Sequence, residues 1–420
     1  MCEGWKILWQ LVGGILFVGA TSFLHSAAAG GVDKQDFNQR DRGRYLAIVG
    51  DCAACHTLPG SGHELAGGRV IETPFGNLIA PNITPDPVTG VGAWTDDEFV
   101  NALTKGRGKN GTLLYPAMPY PYYTKLTNDD ALAIRAYLNT VPAVHNPVLP
   151  DQLPFPVNIR TSMAVWNELF FKPGTFVPVA GKSDEWNRGA YLTEGLGHCG
   201  ACHTPKNFLG GDENSEKLQG YALQGWFAPN ITNDDRRGLG GWSVDDIVAY
   251  LQTGHNKASA ATGLMSETLN LSTSHMRVDD LKAIAVYLKD QPSQQQQSTP
   301  TAAEQPMPGA GAQIYADECS GCHLPNGKGS AGLFPPLAGS SLVQQIDPMS
   351  LLHVVLRGAR STGTAQAPTA SAMPAFGWVL NDGQVAAVIT YVRNAWGNAA
   401  PAVSGSDVGK VRKMLVERDD

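Results

Sequence analysis

The pattern Cys-x-x-Cys-His occurs three times in this chain, and it constrains the fold more than any other feature. The copies run from Cys52 to His56, from Cys199 to His203 and from Cys319 to His323. Two thiols at positions i and i+3 lie on one side of a helical turn, where both can bond to the vinyl groups of a single porphyrin. The histidine that follows can then bind the iron. The pattern therefore predicts three covalently bound c-type haems. The residues predicted to bond the porphyrin are Cys52, Cys55, Cys199, Cys202, Cys319 and Cys322, and those predicted to bind iron are His56, His203 and His323.

Zinc is the alternative cofactor for paired cysteines. Six of the seven cysteines lie in the three motifs, and the seventh is Cys2. A structural zinc site usually takes four ligands from one compact module, often from two neighbouring Cys-x-x-Cys pairs. Here the pairs are far apart in the sequence and each has an adjacent histidine, which favours haem.

The N-terminal segment has the features of a secretory signal. Lys6 precedes an apolar stretch from Ile7 to Leu24, and Ser26-Ala27-Ala28-Ala29 supplies small residues for cleavage. We expect residues 1–29 to be a signal peptide, with an uncleaved membrane anchor as the alternative. Either form predicts export, which agrees with haem attachment outside the cytoplasm. The net charge of −7 argues against nucleic acid as a partner.

The first two motifs lie within an internal duplication. The matching strings are Arg42-Gly43-Arg44-Tyr45-Leu46 with Arg188-Gly189-Ala190-Tyr191-Leu192, and Ala80-Pro81-Asn82-Ile83-Thr84 with Ala228-Pro229-Asn230-Ile231-Thr232. A repeat this long indicates duplicated domains rather than a solenoid. Each unit closes with an apolar-periodic helix that follows acidic residues such as Asp130 and Asp280, which we expect at helix N-caps. The chain is therefore expected to be mostly α-helical.

Composition divides the chain into seven segments. After the signal, residues 37–142 and 184–290 form the two repeats, and a third haem domain covers residues 309–400. Residues 143–183 are rich in proline and aromatic side chains, and we expect this connector to pack against the domains it joins. Residues 291–308, with four consecutive glutamines and several prolines, predict a flexible linker. In the tail, residues 401–420, we expect a short helix to dock on the third domain through Val408, Val411 and Leu415.

Methionines are the candidates for the second axial ligand of each iron. Met118 and Met265 lie at the same distance in sequence after His56 and His203, and Met373 follows His323 at a shorter distance. Methionine in this position closes the iron to other ligands and raises the reduction potential, which suits electron transfer. For the second domain Met276 is a weaker candidate, and a bis-histidine site through His255 or His275 is an alternative. The backbone carbonyls of Pro81, Pro229 and Pro335 are hypothetical acceptors for the other ring nitrogen of the iron-binding histidines.

The three motifs occur together with several other strings that resemble one family. These strings are Tyr115-Pro116-Ala117-Met118-Pro119-Tyr120, the two Ala-Pro-Asn-Ile-Thr strings, Phe334-Pro335-Pro336-Leu337-Ala338-Gly339 and Ala372-Met373-Pro374-Ala375-Phe376. The chain resembles the triple-haem cytochrome c subunits of bacterial membrane-bound dehydrogenases that oxidise alcohols, gluconate, fructose or aldehydes. The resemblance implies three tandem cytochrome c domains, the first two an internal duplication, on the periplasmic side of the inner membrane. It also implies a catalytic partner carrying pyrroloquinoline quinone, flavin or molybdopterin, and ubiquinone or a soluble carrier as the acceptor.

Two other functions stay open on the sequence. One is a multihaem enzyme of the peroxidase type, in which one iron keeps an open position. The other is a cytochrome that passes electrons to a terminal oxidase. The sequence contains no catalytic triad, phosphate loop or dinucleotide fingerprint, so we expect an electron-transfer subunit with no substrate site of its own.

Overall fold

The structure is a computed structural model, and it describes residues 37–293 and 309–416. The predicted signal peptide and all but the first three residues of the predicted linker lie outside this part of the chain. Helices dominate, as the sequence predicts. They are α1 Phe37–Val49, α2 Cys52–His56, α3 Asp96–Lys105, α4 Tyr120–Tyr123, α5 Asn128–Leu138, α6 Met163–Phe170, α7 Asp184–Tyr191, α8 Gly200–His203, α9 Val244–Thr253, α10 Gly263–Leu271, α11 Val278–Lys289, α12 Ala310–Ile314, α13 Ser320–His323, α14 Met349–Arg357, α15 Asp382–Asn394 and α16 Gly405–Val416.

Within residues 37–293 and 309–416, strand is confined to three short antiparallel pairs. Two π-helical turns also extend α7 and α12, and they are Leu192–Leu196 and Tyr315–Cys319. The strands are β1 Val70–Thr73 with β2 Gly76–Ile79, β3 Tyr221–Leu223 with β4 Trp226–Ala228, and β5 Ala359–Arg360 with β6 Ala372–Met373. Four single 3₁₀ turns complete the elements, at Lys109–Gly111, Arg160–Ser162, Asn214–Glu216 and Thr273–His275.

A glycine lies where the first helix of each domain crosses the last one. A Cβ atom on Gly43 would lie 1.8 Å from the carbonyl oxygen of Ala133, and one on Gly189 would lie 1.9 Å from that of Ala283. In the third domain, a Cβ atom on Gly311 would lie 2.3 Å from the carbonyl oxygen of Ala387. The two backbones approach too closely for any side chain at these positions. All three domains therefore share one helix crossing, although the sequence repeat is evident only in the first two.

The acidic residues before the closing helices are not N-caps, contrary to the sequence-based expectation. Helix α5 is capped by Thr127, whose hydroxyl accepts from the backbone of Asp130, and α11 begins after Arg277 without a side-chain cap. Asp130 and Asp280 lie within the first turn and are buried. Their carboxylates bind the arginine of the opening helix in the same domain, because Arg42 Nε donates to Asp130 at 2.6 Å and Arg188 Nε donates to Asp280 at 2.7 Å.

Each of these carboxylates also accepts from the other repeat. Tyr45 of α1 donates to Asp280 Oδ2 at 2.5 Å, and Tyr191 of α7 donates to Asp130 Oδ2. The two domains are thus joined by a reciprocal pair of tyrosine–aspartate hydrogen bonds. One buried apolar cluster also runs through both domains, and it includes Leu46, Ile134, Leu192 and Leu281. Domains 1 and 2 therefore share a single hydrophobic core.

The third domain packs against the β3–β4 hairpin of the second. The rings of Trp226 and His353 stack with centroids 3.8 Å apart, and His353 Nδ1 bonds the carbonyl of Gly225 at 2.9 Å. The Ser350 hydroxyl accepts from the Phe227 N–H at 2.8 Å and donates to the Phe227 carbonyl at 3.0 Å. These contacts define the position of the third domain's α14 relative to the second domain.

The tail forms helix α16, which docks on the third domain as expected. Val408, Val411 and Leu415 are buried in the core of that domain. Arg412 Nε binds Asp382 at 2.7 Å and so joins α16 to the start of α15. In the part of the chain that the structure describes, no helix is both long and apolar enough to cross a membrane.

The connector contacts both of the domains that it joins. The Trp166 indole N–H donates to the carbonyl of Leu209 in the second domain at 2.9 Å. On the side of the first domain, the Tyr120 ring makes an edge contact with Phe171, and its hydroxyl donates to Asn167 at 2.6 Å. Helix α6 nevertheless has no buried residue, so the connector covers the domains only in part.

Candidate haem-attachment sites

Each Cys-x-x-Cys-His motif forms one short helical turn, namely α2, α8 and α13. A residue with left-handed backbone geometry precedes the first two turns: Asp51 has φ 51° and His198 has φ 36°. This conformation ends the preceding helical segment and starts the turn in a new direction. None of the six cysteines in these turns forms a disulfide.

The three motif histidines, which are the predicted iron ligands, each bond to the backbone carbonyl of a proline. His56 Nδ1 lies 2.7 Å from the carbonyl oxygen of Pro81, and His203 Nδ1 lies 2.7 Å from that of Pro229. In the third domain His323 Nδ1 lies 3.0 Å from the carbonyl oxygen of Pro335. A carbonyl can only accept, so Nδ1 carries the proton and Nε2 is the nitrogen available for a metal. The hypothesis that these proline carbonyls are the acceptors for the histidine ring N–H groups is confirmed.

The environment keeps these imidazoles neutral. Burial lowers the pKa of His56 and of His203, and the hydrogen bond to the proline carbonyl acts in the opposite direction. Burial also lowers the pKa of His323. A neutral imidazole with its Nδ1 hydrogen engaged is the form that binds iron through Nε2.

The thiols fit haem attachment better than zinc. Burial raises the pKa of the Cys52 thiol to about 12 and that of Cys199 to about 12. For Cys319, burial raises the pKa to about 11. A structural zinc site needs about four ligands in one compact cluster. Within residues 37–293 and 309–416, no three His, Cys, Asp or Glu side chains cluster as a metal-ion site.

The repeated Asn-x-Thr sequence explains how the proline carbonyls are positioned. Asn82 is buried, and its Oδ1 accepts from the backbone N–H of Thr84 at 2.9 Å and from the Thr84 hydroxyl at 2.7 Å. Asn230 makes the same two bonds to Thr232, each at 2.8 Å. These turns fix the backbone directly after Pro81 and Pro229. The sequence analysis used the strings as evidence of duplication and missed this positioning role.

The three candidate methionine ligands lie on different kinds of backbone. Met118 occupies a turn just before α4, Met265 lies in the first turn of α10, and Met373 ends strand β6. All three side chains are half-buried. Met276, the weaker candidate, is buried in the shared core of the first two domains. The assignment of Met118, Met265 and Met373 as iron ligands remains a prediction.

The alternative histidine ligands of the second domain are not equally placed. His275 is exposed, and its Nε2 lies 2.9 Å from the carbonyl oxygen of Asn270. His255 is half-buried and bridges to Ala260. Exposure and an existing hydrogen bond at Nε2 do not favour His275 as an iron ligand.

A cavity of about 650 Å³ lies where the three domains meet. Arg69 of the first domain, Leu264 and Glu267 of α10, and Arg360 and Met373 of the third domain contribute to its wall. Two of the candidate methionine segments, those of Met265 and Met373, therefore border the same space. The candidate haem sites of the second and third domains therefore both approach this cavity.

Comparison with known proteins agrees with this geometry. A family model described as cytochrome c matches residues 41–142 and 309–396. A gluconate 2-dehydrogenase cytochrome c subunit of Pantoea cypripedii is 40% identical over 393 residues, which cover 89% of this chain and 89% of that protein. The cytochrome c subunit of an alcohol dehydrogenase (quinone) of Gluconacetobacter polyoxogenes is 39% identical over 94% of this chain and 88% of its own length. A fructose dehydrogenase cytochrome subunit of Gluconobacter japonicus is 38% identical over 88% of this chain and 82% of its own length.

Proposed function

The chain belongs to the family of cytochrome c subunits of membrane-bound dehydrogenases, and on this basis we propose that it carries three haems c and conducts electrons away from a dehydrogenase catalytic subunit. The observation that carries the proposal is the threefold recurrence of one donor set. Each set has two cysteines on a helical turn and a histidine whose Nδ1 donates to a proline carbonyl. The three domains also share one helix crossing.

The residues of each site have separate tasks. Haem, when bound, supplies one-electron exchange between ferric and ferrous iron. The two thiols would bond the porphyrin to the turn, and the histidine, whose Nδ1 donates to the proline carbonyl, would bind the iron through Nε2. We assign Met118, Met265 and Met373 to the far side of each iron. Two axial ligands from the protein leave no position for a substrate, so these residues support electron transfer rather than bond chemistry.

The fold holds the three sites in a defined arrangement. Reciprocal hydrogen bonds of Tyr45 and Tyr191 join the first two domains, and contacts of Ser350 and His353 join the third domain to the second. A fixed arrangement lets electrons cross between sites without domain movement. This supports a conduit in which the catalytic subunit donates electrons and ubiquinone or a soluble carrier accepts them.

We also assign the protein to the periplasmic side of the bacterial inner membrane. The support is the predicted signal peptide at residues 1–29 and the extracytoplasmic chemistry of c-type haem attachment. A chain that lacks residues 1–29 should accumulate without covalent haem. Covalent haem in that truncated chain would contradict the assignment.

Haem counting tests the proposal directly. Pyridine haemochrome analysis of the exported chain should give three equivalents of haem c, and replacing both Cys52 and Cys55 by Ala should remove one of them. Equivalent double replacements in the other two motifs should each remove one more, whereas Cys2→Ala should remove none. In complex with the catalytic subunit, its substrate should reduce the haems. Fewer than three equivalents in the unaltered chain would contradict the proposal.

A further inference from the structure

The segment that follows Met118 in the first domain packs on the haem-attachment turn of the second domain. The Tyr122 ring lies against Gly200, inside the second motif, where an added Cβ would come within 3.0 Å of Tyr122 Cε1. The Tyr122 hydroxyl donates to Asp212 Oδ2 at 2.5 Å. Lys206 Nζ donates to the Tyr122 oxygen at 3.2 Å and to the Gly200 carbonyl at 3.1 Å. The first-domain tyrosine thus helps to hold the second-domain turn, and it accounts for the glycine in that motif.

The segment that contains Met265 in the second domain packs in turn on the haem-attachment turn of the first. Arg69 Nη1 donates to the carbonyl of Ala54 at 2.5 Å, inside the first motif. The same guanidinium forms a bidentate pair with Glu267 of α10, with Nη2 to Oε2 at 2.9 Å. Helix α10 is therefore fastened to the first attachment turn through Glu267, which is close to Met265 in the sequence.

These two contacts are reciprocal. In each domain the segment with the candidate methionine ligand reaches the cysteine turn of the other domain. Both attachment turns therefore border the interface between the repeats.

We propose that the first two domains complete each other's haem sites, with Arg69 and Tyr122 as the positioning residues that act across the interface. The inference rests on the proposed function, since it concerns the haems of these two domains. If the inference holds, the first two haem sites form one unit, and a substitution in the first domain alters the reduction potential of the second-domain haem. A pair of independent domains on a common chain would respond only locally.

Charge gives the direction of the expected effect. Ferric haem carries one more positive charge than ferrous haem, so an uncompensated carboxylate nearby stabilises the ferric form and lowers the reduction potential. Arg69→Met leaves Glu267 without its bidentate partner, close to Met265. Tyr122→Phe removes one of the two side-chain donors to Asp212, beside the second motif, so the Asp212 carboxylate keeps only its ion pair with Lys206 and is less fully compensated. Both variants should lower the potential of the second-domain haem.

The experiment uses spectroelectrochemical titration of the full-length haem protein. Met118→His and Met265→His identify the waves of the first and second haems, since histidine in place of methionine lowers the potential of its own haem. Arg69→Met should lower the midpoint reduction potential of the second-domain haem. Arg69→Lys keeps the positive charge, so it should show only a small part of this decrease. Tyr122→Phe should shift the same wave in the same direction.

Two substitutions in and beside the first domain serve as matched controls. Arg160, like Arg69, binds one carboxylate and one backbone carbonyl, which belong to Asp151 and Leu113. Tyr115, like Tyr122, donates its hydroxyl in a hydrogen bond, in this case to the carbonyl of Val157. Arg160→Met and Tyr115→Phe should leave the second-domain wave in place. Comparable shifts in the controls, or no second-domain shift with Arg69→Met and Tyr122→Phe, would overturn the inference.

Haem counting separates this inference from the proposed function. Fewer than three haems in the unaltered chain would contradict the proposed function itself. Three haems with purely local effects of Arg69 and Tyr122 would overturn only the coupling. If a variant loses haem, loss from the second domain supports the inference, and loss confined to the first domain overturns it.

Discussion

Tyr45 in the first domain donates a hydrogen bond to Asp280 in the second domain, with 2.5 Å between the oxygens. Tyr191 repeats the contact in the opposite direction with Asp130. Because each carboxylate is buried and already bound to an arginine of its own domain, the tyrosine completes its hydrogen bonding from across the interface. Folding of one repeat is thereby linked to the presence of the other.

We expect Tyr45→Phe to lower the free energy of unfolding by about 1.5–3 kcal/mol, the typical net value of a hydrogen bond to a charged group, whereas a hydroxyl bonded to a neutral carbonyl is worth about 1 kcal/mol. Adding Tyr191→Phe should roughly double the loss, since the two bonds lie at separate carboxylates. Denaturant titration followed by circular dichroism measures both. Tyr115→Phe is the control for loss of a hydroxyl away from this interface. An equal loss in the control would show that the interface has no special role.

Stability should fall in acid through Asp280. Burial alone would raise its pKa, but hydrogen bonds from Arg188 and Tyr45 prevail and lower the pKa to about 2. A carboxylate whose pKa is lower in the folded chain contributes stability above its unfolded pKa of about 4, and this contribution is lost as the pH falls towards 2. Asp280→Asn should be less stable at neutral pH and should show a weaker pH dependence between about pH 4 and pH 2. Thermal unfolding at several pH values measures this.

The control for Asp280 is its exposed neighbour Asp279. Asp279→Asn should retain the wild-type pH dependence of the melting temperature. If Asp280→Asn and the unaltered chain lose stability in parallel between about pH 4 and pH 2, the assigned role of the Arg188 pair is wrong.

Gly43→Ala should destabilise the first domain. Its Cβ would overlap the carbonyl oxygen of Ala133, so α1 and α5 must separate. Overpacking of this kind costs about 1–3 kcal/mol, and occasionally more. Gly383→Ala, in the first turn of α15, meets only the Asn381 side chain at 3.5 Å and should be neutral or should gain up to about 1 kcal/mol. Equal effects of the two changes on the free energy of unfolding would refute the close-crossing argument.

Met265 and Met276 should respond differently to truncation. Met265→Ala should remove the methionine–iron absorption of one haem and lower its potential, if Met265 is the ligand. Met276→Ala should instead cost about 2–5 kcal/mol of unfolding free energy, because it leaves a hole in the shared core. Absorption spectra and denaturant titration of both variants measure the difference. A changed haem spectrum in Met276→Ala alone would reverse the assignment.

Local sequence signals predicted the local parts of this structure. The cysteine turns follow from the motifs, and the docking of α16 follows from the spacing of Val408, Val411 and Leu415. The proline carbonyl acceptors were also found, because Pro81 and Pro229 lie at matching places in a repeated string. In each case the information lies within a few residues of the side chain concerned.

Contacts between distant segments were not predicted. Asp130 and Asp280 resemble helix caps in the sequence, but burial beside an arginine of the opening helix gives them a different role. The pairing of Arg69 with Glu267 joins residues of different domains, and no local spacing indicates it. Equal spacing of Met118 and Met265 also did not reveal that one lies in a turn and the other in a helix.

The contact between the second and third domains depends on both domains belonging to one polypeptide. Ser350 and His353 satisfy backbone groups of Phe227 and Gly225, which water could hydrate equally well after separation. Apart from the stacked rings of Trp226 and His353, the contacts of this junction that the structure describes are mostly polar, and they would give only weak association between two separate chains. Covalent continuity from residue 293 to residue 309 supplies the high effective concentration that keeps the junction closed. A version of this protein divided between two genes would therefore need a more apolar surface at α14 to assemble.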